Sequence, residues 1–168
     1  MGKSTAALEL FYDYSCPYCL MGYDLLVSLL PSAGPIDILW RPCEAHPRPE
    51  VYRHHSDLCA RGFFFAVEAG VDPHAYHRLM FHAALKDRID IDDPAAVARA
   101  VGSILDSAKL EQDLRSDRYV KELDENNTLA WDVCGFDAVP SIRWGDRLLG
   151  AVPGVGIGHD ALAGFLKG

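Results

Sequence analysis

The sequence predicts an α/β chain, a central mixed sheet interrupted by an all-helical insertion. Three stretches predict it. The first 42 residues read strand, helix, strand. Residues 57 to 117 carry helical periodicity throughout, and the C-terminal stretch returns to two strands and a closing helix.

Each element has a local cause. From Ala6 to Tyr14, Leu8, Leu10 and Tyr12 alternate with Glu9 and Phe11. Both faces carry large side chains, as in a strand inside a sheet. The period changes from Ser15 to Leu30, where Tyr23, Leu26 and Leu30 make a helical stripe. Pro31 and the Ser32-Ala33-Gly34-Pro35 turn are expected to end that helix. Ile36 to Arg41 follows as a second strand, with Ile36, Ile38 and Trp40 on one face. Such a unit defaults to a right-handed crossover between parallel strands. After a Pro-rich loop from Pro42 to Pro49 come four helices: Leu58 to Ala69, ended by Gly70; Pro73 to Leu85, with Pro73 as first residue; Pro94 to Ile104, capped by Asp92 or Asp93; and Ser107 to Leu114. A longer helix is expected from a Ser116 or Asp117 cap to Cys134, stopped by Gly135. Val139 to Trp144 and Arg147 to Leu149 form a hairpin at Gly145-Asp146, and His159 to Leu166 closes the chain. Without the helical block the order is βαβαββα, the connectivity of a thioredoxin fold. Residues 1-44 and 118-168 are read as that domain and residues 45-117 as the insertion.

Composition narrows the function. At 168 residues, 49% apolar and 24% charged, the chain has the size and balance of one globular domain with a generous insertion. Net charge is −8, and no basic stripe offsets it, which argues against nucleic acid as a partner. The longest apolar runs, Leu25 to Leu30 and Phe63 to Val67, fall far short of the roughly 18 residues of a membrane span. The start, Met1 to Ala6, lacks the apolar region of a secretory signal. Gly2-Lys3-Ser4 ends like a phosphate-binding loop, but no strand precedes it, and it is read as a frayed terminus. A cytoplasmic location is expected for the chain as given. Five cysteines there argue against a structural disulfide framework. Asn126-Asn127-Thr128 reads as a glycosylation acceptor only by coincidence.

Cys16-Pro17-Tyr18-Cys19 carries the strongest chemical signal. It follows the first strand and opens the first helix. Two cysteines three apart on a helix lie one turn apart on the same face and can form a small disulfide. Cys16 sits where unpaired N–H groups and the helix dipole favour an anion, which should lower its thiol pKa. Pro17 fits the first turn, and Cys19 should be the buried, resolving thiol. Two thiolates at this spacing also ligate zinc, but a zinc site needs two more ligands, and Cys43, Cys59 and Cys134 are scattered. No metal is expected. Asp13 can tune the thiol or cap a turn. Cys43 is read as a half-buried structural cysteine or a third redox thiol, Cys134 as a core residue and Cys59 as part of a helix face. His74, His77 and His82 are expected at the surface or in a groove, and His54-His55 in a polar loop. One of Phe63, Phe64 and Phe65 is expected to line a groove by the thiols, unless they pack the insertion onto the core. Pro140, at the start of a strand, cannot donate to the ladder there.

LELFYDYSCPYC, from Leu8 to Cys19, resembles the start of DsbA-like thioredoxin-fold proteins, especially the cytosolic FrnE-like branch. Trp40-Arg41-Pro42 with Glu44 and His46-Pro47 is similar to the second strand and loop of that branch, and Gly135 to Ser141 resembles its cis-proline loop. Tyr18 stands where DsbA usually carries His, and Cys43 and Ala45 replace larger apolar residues. The resemblance implies that the Val139–Pro140 bond is cis, faces the CxxC, and pairs its exposed backbone with an incoming chain. It implies a thiol–disulfide oxidoreductase with no metal or nucleotide cofactor. Cys16 is then the nucleophile, Cys19 the resolving thiol, and Val139 and Pro140 the substrate loop. Partners would be disulfide-containing proteins or small thiols, with glutathione or a thioredoxin system as redox partner. Tyr12 to Tyr18 is also similar to the active-site turn of kappa-class glutathione transferases and 2-hydroxychromene-2-carboxylate isomerases. These carry Ser where Cys16 stands and hold a glutathione thiolate. A glutathione-dependent isomerase or transferase is therefore the alternative; Cys16 paired with Cys19 favours redox chemistry.

Overall fold

The computed structural model describes residues 6–168. The Gly2-Lys3-Ser4 segment lies outside the described residues. Strands β1 (Leu8–Tyr12), β2 (Ile38–Pro42), β3 (Ser141–Trp144) and β4 (Arg147–Leu149) form one mixed sheet in the order β2-β1-β3-β4. β1 pairs parallel with β2 and antiparallel with β3, and β3 pairs antiparallel with β4. The helices are α1 (Pro17–Ala33), α2 (Asp57–Glu68), α3 (Pro73–His82), α4 (Pro94–Ala100), α5 (Ser107–Leu114), α6 (Val120–Thr128) and α7 (His159–Lys167). A π turn extends α3 over Ala83–Asp87, and another extends α6 over Leu129–Val133. This is an α/β fold, a mixed sheet with the helical block inserted between β2 and β3.

The order of elements follows the sequence pattern, and the boundaries move for local reasons. β1 stops at Tyr12, because Asp13 and Tyr14 already turn toward α1. α1 runs through Pro31 to Ala33. In the last turn a proline removes one hydrogen bond rather than a ladder of them, and the helix ends at Gly34, where φ is 87°. α4 stops at Ala100, four residues short of expectation, in a turn in which Gly102 leaves room for Ser107 Oγ. α6 begins at Val120, after Tyr119 takes a left-handed conformation at φ 65°. Tyr119 is held there by its hydroxyl, which donates to Glu68 Oε2 at 2.5 Å. Ser116 and Asp117 therefore precede the helix in turns instead of capping it.

β1 is buried along its whole length, as a central strand covered on both faces should be. Its two faces are held differently. On one, Tyr12 meets Phe63 of α2 and His77 and Phe81 of α3. Tyr23 of α1 and Trp40 of β2 join the same ring cluster. At its centre Tyr12 Oη lies 3.3 Å from Tyr14 Oη, which shares a 2.9 Å hydrogen bond with His77 Nδ1. His77 is thus fully buried instead of lining a surface. Tyr14 satisfies one ring nitrogen, Phe63 stacks on the ring, and burial pushes its pKa down to about 3, so the imidazole stays neutral. The three phenylalanines pack the insertion: Phe63 sits in this cluster and Phe64 packs toward Tyr119.

On the other face Glu9 is buried between two guanidinium groups. Arg41 of β2 donates to it at 2.8 Å, and Arg143 of β3 donates from the opposite neighbour. Burial alone would raise the Glu9 pKa, but the two arginines outweigh it and hold the carboxyl below its usual range. One carboxylate therefore ties three strands together. At the sheet edge, Arg147 of β4 donates to Phe165 O at 2.7 Å and lies over the Phe165 and Trp144 rings.

Two outcomes follow. Glu9→Gln leaves two partly buried cations unpaired. It should cost about 2 kcal/mol in urea unfolding, less than the roughly 3 to 5 kcal/mol of a fully buried pair, because the arginine side chains keep about a quarter of their exposure. His77 is neutral when folded and protonates when unfolded below about pH 6.5, so the native state loses stability as pH falls from there to about 3. His77→Phe should flatten the stability–pH slope in that window by about 1.4 kcal/mol per pH unit; an unchanged slope contradicts the burial.

Candidate active site

β1 hands directly to α1 through four residues, and one carboxylate organises the handover. Asp13 Oδ1 accepts from Ser15 N at 2.8 Å and from Ser15 Oγ at 2.7 Å. Its Oδ2 accepts from Ala45 N, just beyond β2, at 2.8 Å. Asp13 is therefore a turn clamp that fastens the motif loop to the loop after β2. Its own backbone N–H donates to Cys19 Sγ at 3.3 Å. Cys16 occupies the N-cap with extended backbone, φ −100° and ψ 116°, and Pro17 is the first helical residue. Cys16 O accepts from Cys19 N at 3.1 Å, closing the first turn.

The two thiols, neither in a disulfide, differ in setting. Cys16 is half-exposed and Cys19 fully buried. The Cys16 pKa is lowered, chiefly because the Cys19 thiol donates to its sulfur, with help from the Cys19 and Tyr18 backbone N–H groups; burial and the Asp13 charge oppose this. Burial pushes Cys19 well above the ordinary thiol value, and its bond to Cys16 adds to the rise. The pair is thus asymmetric: the outer sulfur gives up its proton more readily than the inner one.

Opposite Cys16 stands the loop that leads into β3. The Val139–Pro140 peptide bond is cis, and Cys16 Sγ lies 3.8 Å from Val139 O. Three contacts fix this loop. Ser141 Oγ donates to Ala138 O at 2.7 Å and accepts from Ala151 N at 3.0 Å. The Pro140 ring packs on α1 at Gly22, where an added Cβ would come within 2.5 Å of Pro140 Cγ. A groove of about 510 Å³ runs between the motif and this loop, lined by Cys16, Tyr18, His46, Trp131, Val139 and Pro153, among others. Trp131 is fixed by its Nε1, which donates to Glu44 O at 3.0 Å. Asn127 holds the same segment: its Oδ1 accepts from Glu44 N and its Nδ2 donates to Glu44 Oε2. Burial pushes the Glu44 carboxyl up to about 7 and leaves its Oε1 without a partner.

The structure brings Asp13, Cys16, Pro17, Tyr18, Cys19, Val139 and Pro140 together and leaves other candidates apart. Cys43 is fully buried rather than half-buried, and Cys59 is fully buried as well; burial raises both thiols. Cys134 is half-buried and packs against the core from the end of the π turn that extends α6. His74 bonds Tyr23 Oη at 2.7 Å and His82 pairs with Asp87, so the α3 histidines do not converge. His54 and His55 both face Asp92, to which Arg48 is also paired at 2.9 Å. Asn126 is buried, donating to Pro42 O.

Gly22, Trp131, Asn127 and Pro153 were not singled out from sequence. Gly22 did leave a trace, since glycine inside a helix costs about 1 kcal/mol and calls for a packing reason. The others depend on long-range contacts.

A family model, the DSBA-like thioredoxin domain, matches residues 7–165. The chain belongs to this family. Among solved structures, a probable DsbA oxidoreductase from Streptomyces coelicolor superposes with TM-score 0.78 at 15% identity, covering 96% of this chain and 88% of that one. A Pseudomonas aeruginosa DsbA variant gives 0.68 at 18% identity, covering 99% and 87%. Chlamydia trachomatis DsbA gives 0.67 at 19%, covering 99% and 88%. At such identities the likeness is one of fold. No curated protein matches the sequence significantly.

The asymmetry of this DSBA-like pair is measurable. Iodoacetamide should label Cys16 of the reduced protein fast, with a rate that titrates below the ordinary thiol value of about 8.5, while Cys19 stays unlabelled until unfolding. A Cys16 rate that titrates at or above that value contradicts the site.

Proposed function

We propose that this protein is a thiol–disulfide oxidoreductase. The observation that carries the reading is the pairing of a half-exposed, low-pKa Cys16 at a helix start with a buried, high-pKa Cys19 one turn on, beside the backbone carbonyl of Val139. In the reducing direction the Cys16 thiolate attacks one sulfur of a substrate disulfide. A Cys16–substrate disulfide forms and the second substrate sulfur leaves as a thiolate, taking a proton. Cys19 then gives up its proton and attacks Cys16 Sγ. The first substrate sulfur leaves, and the Cys16–Cys19 disulfide holds the two-electron oxidation. An external thiol, glutathione or a thioredoxin-type dithiol, returns two electrons and two protons.

Each residue has a part. Asp13 keeps the turn closed and aims a backbone N–H at the resolving sulfur. The buried setting of Cys19 keeps it protonated until the mixed disulfide removes the Cys16 charge. The backbone of Val139, just ahead of β3, offers an edge along which a substrate chain adds like a short strand. No resident metal or nucleotide takes part. In a cytoplasm poised reducing, reduction or isomerisation is the direction expected; oxidation runs the same steps in reverse.

An insulin-type reduction assay with a thiol donor tests this. The wild type should accelerate reduction, Cys16→Ser should lower the rate by about 100-fold or more, and Cys19→Ser should accumulate a mixed disulfide seen by mass. Wild-type reduction no faster than the donor alone overturns the reading. Tight calorimetric binding of reduced glutathione with isomerase or conjugation turnover would replace it.

A further inference from the structure

A second groove flanks the nucleophile. Cys16 sits on a crest: Cys16 and Tyr18 line the groove against Val139, while Ser15 and Pro17 line another, of about 670 Å³, that runs toward the α3 end of the insertion. Its floor is apolar, with Leu20, Leu85, Ile89 and Ile91. Its rim is cationic, with Arg53, Lys86 and Arg88, and no Asp or Glu lines it, in a chain of net charge −8.

The positive charge of this rim is not spent inside the protein. Among the described residues the side chains of Arg53, Lys86 and Arg88 have no hydrogen-bond or ion-pair partner. Two of the acids nearby are paired with cations elsewhere. Asp92 is paired with Arg48, His54 and His55, and Asp87 with His82. Asp90 accepts from Asp92 N. The backbone also presents the rim: α3 ends in the π turn, and Arg88 follows it in the left-handed region at φ 53°. A non-glycine residue rarely takes that conformation.

We propose that this groove docks an acidic, apolar segment of the substrate polypeptide, close in sequence to the cysteine that Cys16 attacks. The proposal rests on the oxidoreductase reading and names which substrates it favours. The apolar floor takes alternate large side chains, and the unpaired cations take the carboxylates between them. A polypeptide is the occupant because the grooves share one short stretch of chain: Cys16 and Tyr18 line the first, and their neighbours Ser15 and Pro17 line the second. An extended chain lying over Cys16 fills both, whereas a small anion fills one.

The test uses the full chain and three labelled peptides without cysteine, in which Leu and Phe alternate with Glu, Gln or Lys. By fluorescence anisotropy at low salt, the Glu peptide should bind about tenfold more tightly than the Gln peptide, and the Lys peptide most weakly. The preference should shrink at about 1 M salt, a readout on the wild type that no folding defect can mimic. The double variant Arg53→Gln, Lys86→Gln should bring the ratio close to one. Equal affinities for the three peptides overturn the proposal, as does a Glu preference that survives both high salt and the double variant. Displacement of the Glu peptide by equimolar glutathione disulfide assigns the groove to a small anion and also overturns it. The same peptides carrying a disulfide separate the two readings. Reduction of all three at one rate sinks the groove alone, and a binding preference without any reduction sinks the oxidoreductase.

Discussion

The Asp13 carboxylate is buried, and it accepts hydrogen bonds from Ser15 twice and from Ala45 once. A buried charge survives only where fixed donors replace its lost water. Here the donors are Ser15, beside the carboxylate in sequence, and Ala45, 32 residues beyond Asp13, so satisfying the charge fixes the distance between the two loops. The loop after β2 is thereby brought to the motif, and with it His46 and the carbonyl that anchors Trp131. Removing the charge would leave three donors unsatisfied and release both loops at once. The position of Cys16 is in this sense a by-product of solvating Asp13.

The two thiols illustrate how little separation is needed to give like groups unlike chemistry. Their backbones are one helical turn apart, yet Cys16 is half-buried and Cys19 fully buried. The helix start, with its free N–H groups, supports charge on the outer sulfur, and the apolar surroundings forbid it on the inner one. The ring cluster supplies that apolar medium. Tyr12, whose own ionisation is suppressed by burial, lies within electrostatic reach of Cys19 and Cys43. The insertion therefore does more than cover the sheet: through Phe63, His77 and Phe81 it sets the dielectric in which the inner thiol sits.

Much of this was legible in the residues. The strand–CPYC–helix junction, the helical block and the ββα ending are all short-range patterns of period two or 3.6. Pro140 stood out because a strand start has no use for it. The illegible parts share one property, that their partners lie far along the chain. His77 looked like a surface histidine because Tyr14, 63 residues away, is what makes its burial possible. Asn126 and Asn127 carried only a coincidental glycosylation match, yet they clamp the end of β2 and the loop after it, some 80 residues back. Boundaries slipped where a tertiary contact overrode local preference, as at Tyr119, held left-handed through Glu68. Pro31 slipped for the opposite reason. A helix-breaker placed in the last turn has almost nothing left to break.

Arg147 lies across the outer strand of the sheet, bonded to the end of α7 and stacked on two rings. β4 is only three residues long, and its outer side is the natural place for a foreign strand to add. With the strand kept this short and Arg147 tied to α7, the sheet offers little purchase for edge-to-edge polymerisation. A new strand arriving there would find at most three residues of ladder to pair with.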